Sequence, residues 1–280
     1  MVRFVSDINR RHGRPGLKAD STRFAILGSG SAANGYVFES GNFSFIIDNG
    51  YSLSEFRRRM KQLDFSESKL TFIFLTHHHS DHFKGVEPLS SALGIPVVTH
   101  KDMPLEKYCK KEGLHRLDII PGKEYSFDSL QFRCFETSHD AASSVGYHFT
   151  LNNLSFTIIT DTGIVSDEMM FLAAKSDYLF LESNYSPELL HNGPYPDFLK
   201  RRILSDKGHL SNLDAAVCMS RLSEMENLRL KKIFLCHLSE KNNNVEKVKE
   251  EVSRIYEGAI PYAICPRNDC LSQKTLIRSD

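Results

Sequence analysis

Residues 70–82 read L-T-F-I-F-L-T-H-H-H-S-D-H, an apolar run from Leu70 to Leu75 that breaks off into four imidazoles and a carboxylate. A short apolar run rich in aromatic and β-branched residues predicts a buried strand. Titratable groups crowded side by side have no use in a core, so Thr76–His82 is either a solvated His-rich turn or a metal-binding loop. Alternate residues of an extended segment point the same way, so His77 and His79 can reach one ion. Asp81 and His82, turned elsewhere by the loop, can reach a second.

The rest of the chain decides between the two. His139 follows the apolar stretch Phe132–Phe135, Asp161 opens D-T-G after Phe156–Thr160, and His237 follows Ile233–Cys236. Each of these groups sits where a predicted strand ends, the place where a rigid sheet holds a side chain most firmly. Zinc and similar ions accept imidazole nitrogens and carboxylate oxygens together. A carboxylate such as Asp161 can bridge two ions, which in two-metal hydrolytic sites lie about 3.5–4 Å apart. One H-x-H is weak evidence; H-x-H-x-D-H with a later His, Asp and His is strong.

Composition narrows the classes. The 280 residues carry 35 Lys+Arg against 35 Asp+Glu, a balance that argues against a globally basic nucleic-acid binder and leaves room for a local patch. The six cysteines form no CxxC pair, which fits free thiols in the cytoplasm rather than a disulfide framework. Cys265 and Cys270 have the spacing of half a zinc site without a second pair, and read as unrelated thiols. No apolar run approaches the ~20 residues of a membrane span. Residues 1–22 read as a basic extension, flexible by default and a phosphate-seeking arm on the sharper reading. A single domain is expected over 23–280, since no repeat, linker or heptad array interrupts it.

Strands are predicted at Phe24–Gly28, Gly35–Glu39, Phe43–Asp48, Leu70–Leu75, Ile95–Thr99, Leu130–Phe135, Val145–Leu151, Leu154–Thr160, Tyr178–Glu182 and Lys232–Cys236. Asn152-Asn153 is the expected tight turn between two of them. Helices are predicted over Ser54–Leu63 with Arg57, Arg58, Arg59 and Lys61 outward, and around Asp167–Ala174, Pro196–Leu204, Asn212–Leu222 and Asn244–Tyr256.

The set H77-x-H79-x-D81-H82, His139, Asp161 and His237 resembles the metallo-β-lactamase-fold hydrolases in order and spacing. L-G-S-G-S-A-A-N (27–34), T-D-T-G (160–163), L-E-S-N (181–184), G-P-Y-P-x-x-L-K-x-R-I (193–203) and G-H-L-S-N (208–212) are similar to the YycJ/WalJ branch, related to tRNase Z and RNase J. The resemblance implies an α/β (α+β, four-layer) αββα sandwich of two mixed sheets flanked by helices, with two divalent ions (Zn, Mn or Fe) at one edge. His77, His79, His139 and Asp161 would hold one ion; Asp81, His82, Asp161 and His237 the other. His78 occupies a variable slot and is read as a non-ligand. Asp48 matches the acidic motif that braces the metal loop through hydrogen bonds. The branch has glycine where this chain has Ala32-Ala33, so the turn before Asn34 is expected to be shaped differently or strained.

By the same resemblance the activity is that of a 5′-to-3′ DNA exonuclease, with DNA favoured over RNA and no β-CASP insertion between Asp161 and Glu182. Asp81, Glu182 and His209 are the candidate catalytic groups, His209 being the general acid oriented by Glu182. The structural alternative makes His209 a helix-entry residue ahead of Ser211 or Asn212 as N-cap. Lys200, Arg201, Arg202 and Lys207 bracket the acid and suit backbone phosphates. Candidate substrate contacts are Ser31, Asn34, Ser183, Asn184, Tyr195 and Ser211. A small-molecule hydrolase of the same fold, acting on a thioester, lactone or cyclic phosphodiester, is the alternative. A metal-free scaffold would not need every ligand position filled.

Overall fold

Alternation along the strands accounts for the layering. In the strand Tyr178–Glu182, Tyr178 and Phe180 join one buried cluster and Leu179 and Leu181 a second. Phe234 and Cys236 divide from Ile233 and Leu235 in the same way. In the other sheet Phe72 and Phe74 oppose Ile73 and Leu75. A strand apolar on both faces has to be covered on both, and the two sheets bury their inner faces against each other while helices cover the outer ones.

The protein is described here from a computed structural model, which places residues 2–3, 22–41, 43–109 and 114–277, the side chains of 2–3 and 272–277 excepted. The strands are β1 (Val2–Arg3), β2 (Thr22–Gly30), β3 (Ala33–Ser40), β4 (Phe43–Ile47), β5 (Leu70–Phe74), β6 (Val97–His100), β7 (Arg116–Ile119), β8 (Tyr125–Phe127), β9 (Leu130–Glu136), β10 (Val145–Leu151), β11 (Leu154–Ile159), β12 (Tyr178–Glu182), β13 (Lys232–Cys236), β14 (Tyr262–Ile264) and β15 (Leu271–Ile277). The helices are α1 (Leu53–Gln62), α2 (Ser80–Phe83), α3 (Val86–Leu93), α4 (Asp167–Ala174), α5 (Pro187–Asn192), α6 (Asp197–Ile203), α7 (Asn212–Ser223) and α8 (Val245–Ser253). One sheet runs β15-β2-β3-β4-β5-β6-β7 and the other β1-β8-β9-β10-β11-β12-β13-β14. Both mix parallel and antiparallel pairs.

The core between the sheets is aromatic. Phe38 lies against Phe149 edge-on at 4.6 Å and Phe180 stacks on Phe234 at 5.0 Å, geometries that add to the burial of each ring. Helices α4, α7 and α8 contribute to the cluster outside the second sheet, and α1 and α3 to that outside the first.

Most predicted elements are present within a residue or two. Helix α2, helices α3 and α5, and strands β1, β7, β8, β14 and β15 were not foreseen. Arg59, expected outward, is buried: its guanidinium lies 4.3 Å over the Tyr51 ring and donates to the Leu27 carbonyl at 2.5 Å and the Asn268 carbonyl at 2.8 Å. Helical spacing cannot tell a solvated arginine from one that caps strand carbonyls across the fold. Asn152 takes φ 53° and closes the β10–β11 hairpin. Ala32 and Ala33 are not among the residues with positive φ, and Ser31-Ala32 close the β2–β3 hairpin without that strain. Cys265 faces Cys236, their Sγ atoms 3.1 Å apart, whereas Cys270 lies against Arg59, so these thiols do not converge.

Most of residues 1–22 lies outside the described residues; Val2–Arg3 pair in parallel with Tyr125–Ser126. Only α4 lies between β11 and β12, the interval where an insertion was considered. Among the described residues no helix is long and apolar enough to cross a membrane.

Candidate metal centre

Strand direction brings the site together. β11, β12 and β13 are parallel, so Asp161, Glu182 and His237 emerge at one edge. β9 runs the same way through two antiparallel steps and delivers His139 there. In the other sheet β4 and β5 are parallel, and Asp48 and His77 follow their ends. Crevices beyond the carboxyl ends of parallel strands are where α/β sheets gather functional groups. Three of the residues that turn the chain there, Asp48, Asp161 and His237, have φ of 58°, 56° and 58°. The left-handed conformation costs a non-glycine residue free energy, and here it swings each side chain off the strand into the cleft.

His79 precedes α2, whose first turn carries Asp81 and His82. The helix sets the directions of these two, the role sequence reasoning gave to a loop, and leaves the His82 ring 4.2 Å from that of His77. Gly50 permits the close approach behind it: a Cβ there would stand 2.0 Å from the Asp81 carbonyl oxygen.

Four overlapping groups of ligand-type atoms result among the described residues, two of them centred on His77, His79 and His139 and on Asp81, His82 and His237. His79 Nδ1 lies 3.2 Å from His139 Nε2, and the His77 ring centroid is 4.7 Å from that of His79 and 5.0 Å from that of His139. In the second group Asp81 Oδ2 is 3.3 Å from the Nε2 atoms of both His82 and His237. Asp161 stands between, Oδ2 3.1 Å from His82 Nε2 and Oδ1 3.7 Å from His139 Nε2.

The outer nitrogens are taken. His82 Nδ1 lies 2.7 Å from Asp48 Oδ2, His139 Nδ1 3.1 Å from the Gly208 carbonyl and His237 Nδ1 2.8 Å from Glu182 Oε1. His77 Nδ1 lies 3.0 Å from the Thr76 hydroxyl, which itself donates to Asp48 Oδ2 at 2.8 Å. With Nδ1–H donated outward, each Nε2 turns a lone pair into the cleft. The His77 Nε2 and Asp161 Oδ2 atoms are buried without a hydrogen-bond partner. Inward lone pairs packed this closely call for cations, or for protons in their place, and the N/O donor set is one that divalent transition ions accept. The residues fit a metal centre.

Electrostatics agree. Burial, with neighbouring imidazoles, pushes His77 well below the ordinary histidine range and His79 down to about 4. Burial also lowers His237 and His82, but Asp161, Asp81 and their other carboxylate neighbours outweigh it, raising His82 well above its ordinary value and His237 to about 10. Burial would raise Asp161, and the surrounding histidines instead hold it well below the usual carboxylate range. Without a cation, protons on His82 and His237 balance the carboxylates.

Glu182 is fully buried and saturated. Its Oε1 accepts from His209 Nδ1 and His237 Nδ1, both at 2.8 Å, and Oε2 from the backbone N–H groups of Thr162 at 2.9 Å and Leu210 at 3.2 Å. Burial raises its pKa, and His209 and His237 more than offset that, keeping it lowered. One carboxylate thus orients both His237 and the candidate acid. His209 keeps 16% of its side chain exposed, its ring 5.1 Å from that of His139. Ser211 is the N-cap of α7, accepting from the Asp214 N–H, so the chain has capped its helix two residues past His209 and left the imidazole to the cleft.

The chain matches the profile described as "Beta-lactamase superfamily domain" over residues 43–230. It belongs to that superfamily. It is 36% identical over 226 residues to "Exodeoxyribonuclease WalJ" of Streptococcus pneumoniae serotype 2 (strain D39 / NCTC 7466), covering 79% of this chain and 83% of the relative. Identity to "Exodeoxyribonuclease YycJ" of Bacillus anthracis is 34% over 243 residues, 84% of this chain and 89% of that one. The metallo-β-lactamase fold protein YhfI of Bacillus subtilis superposes with a TM-score of 0.69 at 17% identity, over 91% of this chain and 100% of its own. The two-sheet sandwich flanked by helices is the metallo-β-lactamase fold.

The structure places several of the expected substrate contacts inside the protein. Ser183 is buried and donates to Asn212 Oδ1 at 2.6 Å, Ser211 caps its helix, and Asn184 is buried with its amide on the His237 carbonyl at 2.8 Å. Asn34, also buried, bonds Gly30 and places Nδ2 3.0 Å from His82 Nε2. The polar atoms of these groups are spent inside, on the candidate ligand groups and the loops around them. Ser31 is exposed and Tyr195 half-buried against the Tyr185 cluster. Lys200 donates to the His191 carbonyl at 2.6 Å, while Lys207 lines a cleft of about 890 Å³ beside His139. Sequence reasoning overlooked Asp140, which follows His139, takes two donors from Arg202 and stands 3.6 Å from His139 Nε2. Its signal was adjacency to a ligand.

Proposed function

We propose that the protein is a metal-dependent phosphodiesterase working with two divalent ions, Zn, Mn or Fe, as a 5′-to-3′ exodeoxyribonuclease of the cytoplasm. The observation that carries this reading is the Glu182–His209 pair beside inward-facing imidazole lone pairs. A thioester releases a thiolate that needs no such acid, whereas the sugar oxygen of a phosphodiester leaves as an alkoxide that must be protonated. Its relatives in Streptococcus pneumoniae and Bacillus anthracis are named as exodeoxyribonucleases, which supports DNA as the substrate.

When bound, the ions would neutralise the phosphate and acidify a water molecule. His77, His79 and His139 would hold one, Asp81, His82 and His237 the other, with Asp161 reaching both. Asp48 and Thr76 keep the His82 and His77 rings in the tautomer that offers Nε2. Glu182 accepts from His209 Nδ1 and fixes the ring, which leaves Nε2 as the donor to the departing oxygen. Arg202, anchored on Asp140 at the mouth and 47% exposed, is placed to receive a phosphate oxygen.

The test is a matrix of 5′- and 3′-labelled single- and double-stranded DNA and RNA, each with Mn²⁺, Zn²⁺ or Mg²⁺, beside thioester and lactone panels. Nucleotides released stepwise from the 5′ end of DNA support the proposal. Turnover of the thioesters or lactones with intact DNA would replace it with the small-molecule reading.

A further inference from the structure

Among the described residues, three Phe and Tyr side chains are exposed: Tyr108, Phe171 and Phe198. Phe171 is covered by the Lys175 ammonium 3.9 Å from its ring centroid. Tyr108, 42% exposed, is the one in ring contact with the H-x-H segment. It stacks on His78 with centroids 4.1 Å apart and planes 22° from parallel, and His78 in turn lies 5.5 Å from His79. The slot in the ligand motif that grips no ion therefore has a structural partner.

The tyrosine is held, not loose. Leu105 and Met103 earlier in the same segment are buried, and the Tyr108 N–H donates to the Leu105 carbonyl at 2.9 Å. Arg116 staples the approaching segment, donating to the carbonyls of Met103 and His100 at 2.8 Å each and to that of Lys101. An aromatic face presented rigidly pays little ordering entropy when a second ring lands on it.

We propose that Tyr108, backed by His78, is a stacking platform for an unpaired nucleobase of the strand being cut. This rests on the nuclease reading and adds to it a substrate feature, a base freed from its duplex partner beside the scissile phosphate. Every base has a π-face, so the platform grips without choosing sequence, while Arg202 and the metal centre answer the phosphate charge.

The test compares the metal-loaded wild type with Tyr108→Ala, Tyr108→Phe and Tyr108→Trp on a single-stranded oligonucleotide, its counterpart with abasic sites at the 5′ end, and bis(p-nitrophenyl) phosphate. Stacking of ordinary strength predicts that Tyr108→Ala raises KM on the normal oligonucleotide about tenfold, with kcat and metal content held. The abasic strand and the small diester should be turned over as by the wild type, and Phe and Trp should restore the loss. Equal losses on all three substrates would reduce Tyr108 to a prop for His78, and no loss on the oligonucleotide would remove it from binding; either overturns the platform alone. A wild type that hydrolyses bis(p-nitrophenyl) phosphate but no oligonucleotide would overturn the nuclease reading and the platform with it.

Discussion

His209 and His79 lie in the same cleft and are expected to fail in different ways. His79→Ala removes an inward nitrogen 3.2 Å from its neighbour on His139, so metal content measured by elemental analysis should fall together with hydrolysis. His209→Ala leaves the ligand groups whole. Its turnover should drop by about 10²–10⁴, the usual worth of general acid catalysis, with metal content unchanged. Metal loss in the His209 variant would instead make it a ligand. Glu182 connects the two cases, because one oxygen accepts from His209 and from His237.

At the level of elements, the hairpin β10–β11 carries a half-buried histidine unconnected with the cleft. His148 pairs across the hairpin with Thr157, whose hydroxyl is 2.8 Å from Nδ1, and with the Ser176 hydroxyl at 3.3 Å. Burial, reinforced by Arg133, Lys175 and Arg229, lowers its pKa to about 4. The unfolded chain therefore takes up this proton near pH 6.5 and the native one only near 4. Stability is lost as pH falls through that window. From pH 7.5 to 5 the metal-free wild type should lose about 2 kcal/mol more than His148→Gln in urea unfolding. Parallel losses in the two proteins would mean that the histidine is not held neutral.

For the whole molecule, charge balance in the cleft ties metal uptake to protons. His82 and His237 are raised by the carboxylates around them, so near neutral pH the metal-free protein holds protons where cations belong. Metal binding should release them, and affinity should rise with pH. Calorimetric titration with Zn²⁺ in two buffers of different ionisation enthalpy measures the release; identical heats would refute it. Both sheets supply candidate ligand groups, and a cation that binds only the folded protein would stabilise it by mass action.

The strands and the side chains at their ends were legible from residues 70–82 onward, because apolar runs broken by His and Asp are local patterns and burial on two faces leaves an unbroken apolar strand. Asp48 was legible as a brace, and its bonds to Thr76 and His82 have that form. Only the tertiary structure decided where polar groups are spent. Ser183, Asn184 and Asn34 look available in one dimension and are consumed by partners from distant segments. Arg59 turns inward for carbonyls more than thirty residues earlier and two hundred later in the chain, and Tyr108 meets His78 across thirty residues. Periodicity reports which face of an element is apolar. It carries no record of which remote atom completes a hydrogen bond or a stack, since that is set by how the two sheets close on each other.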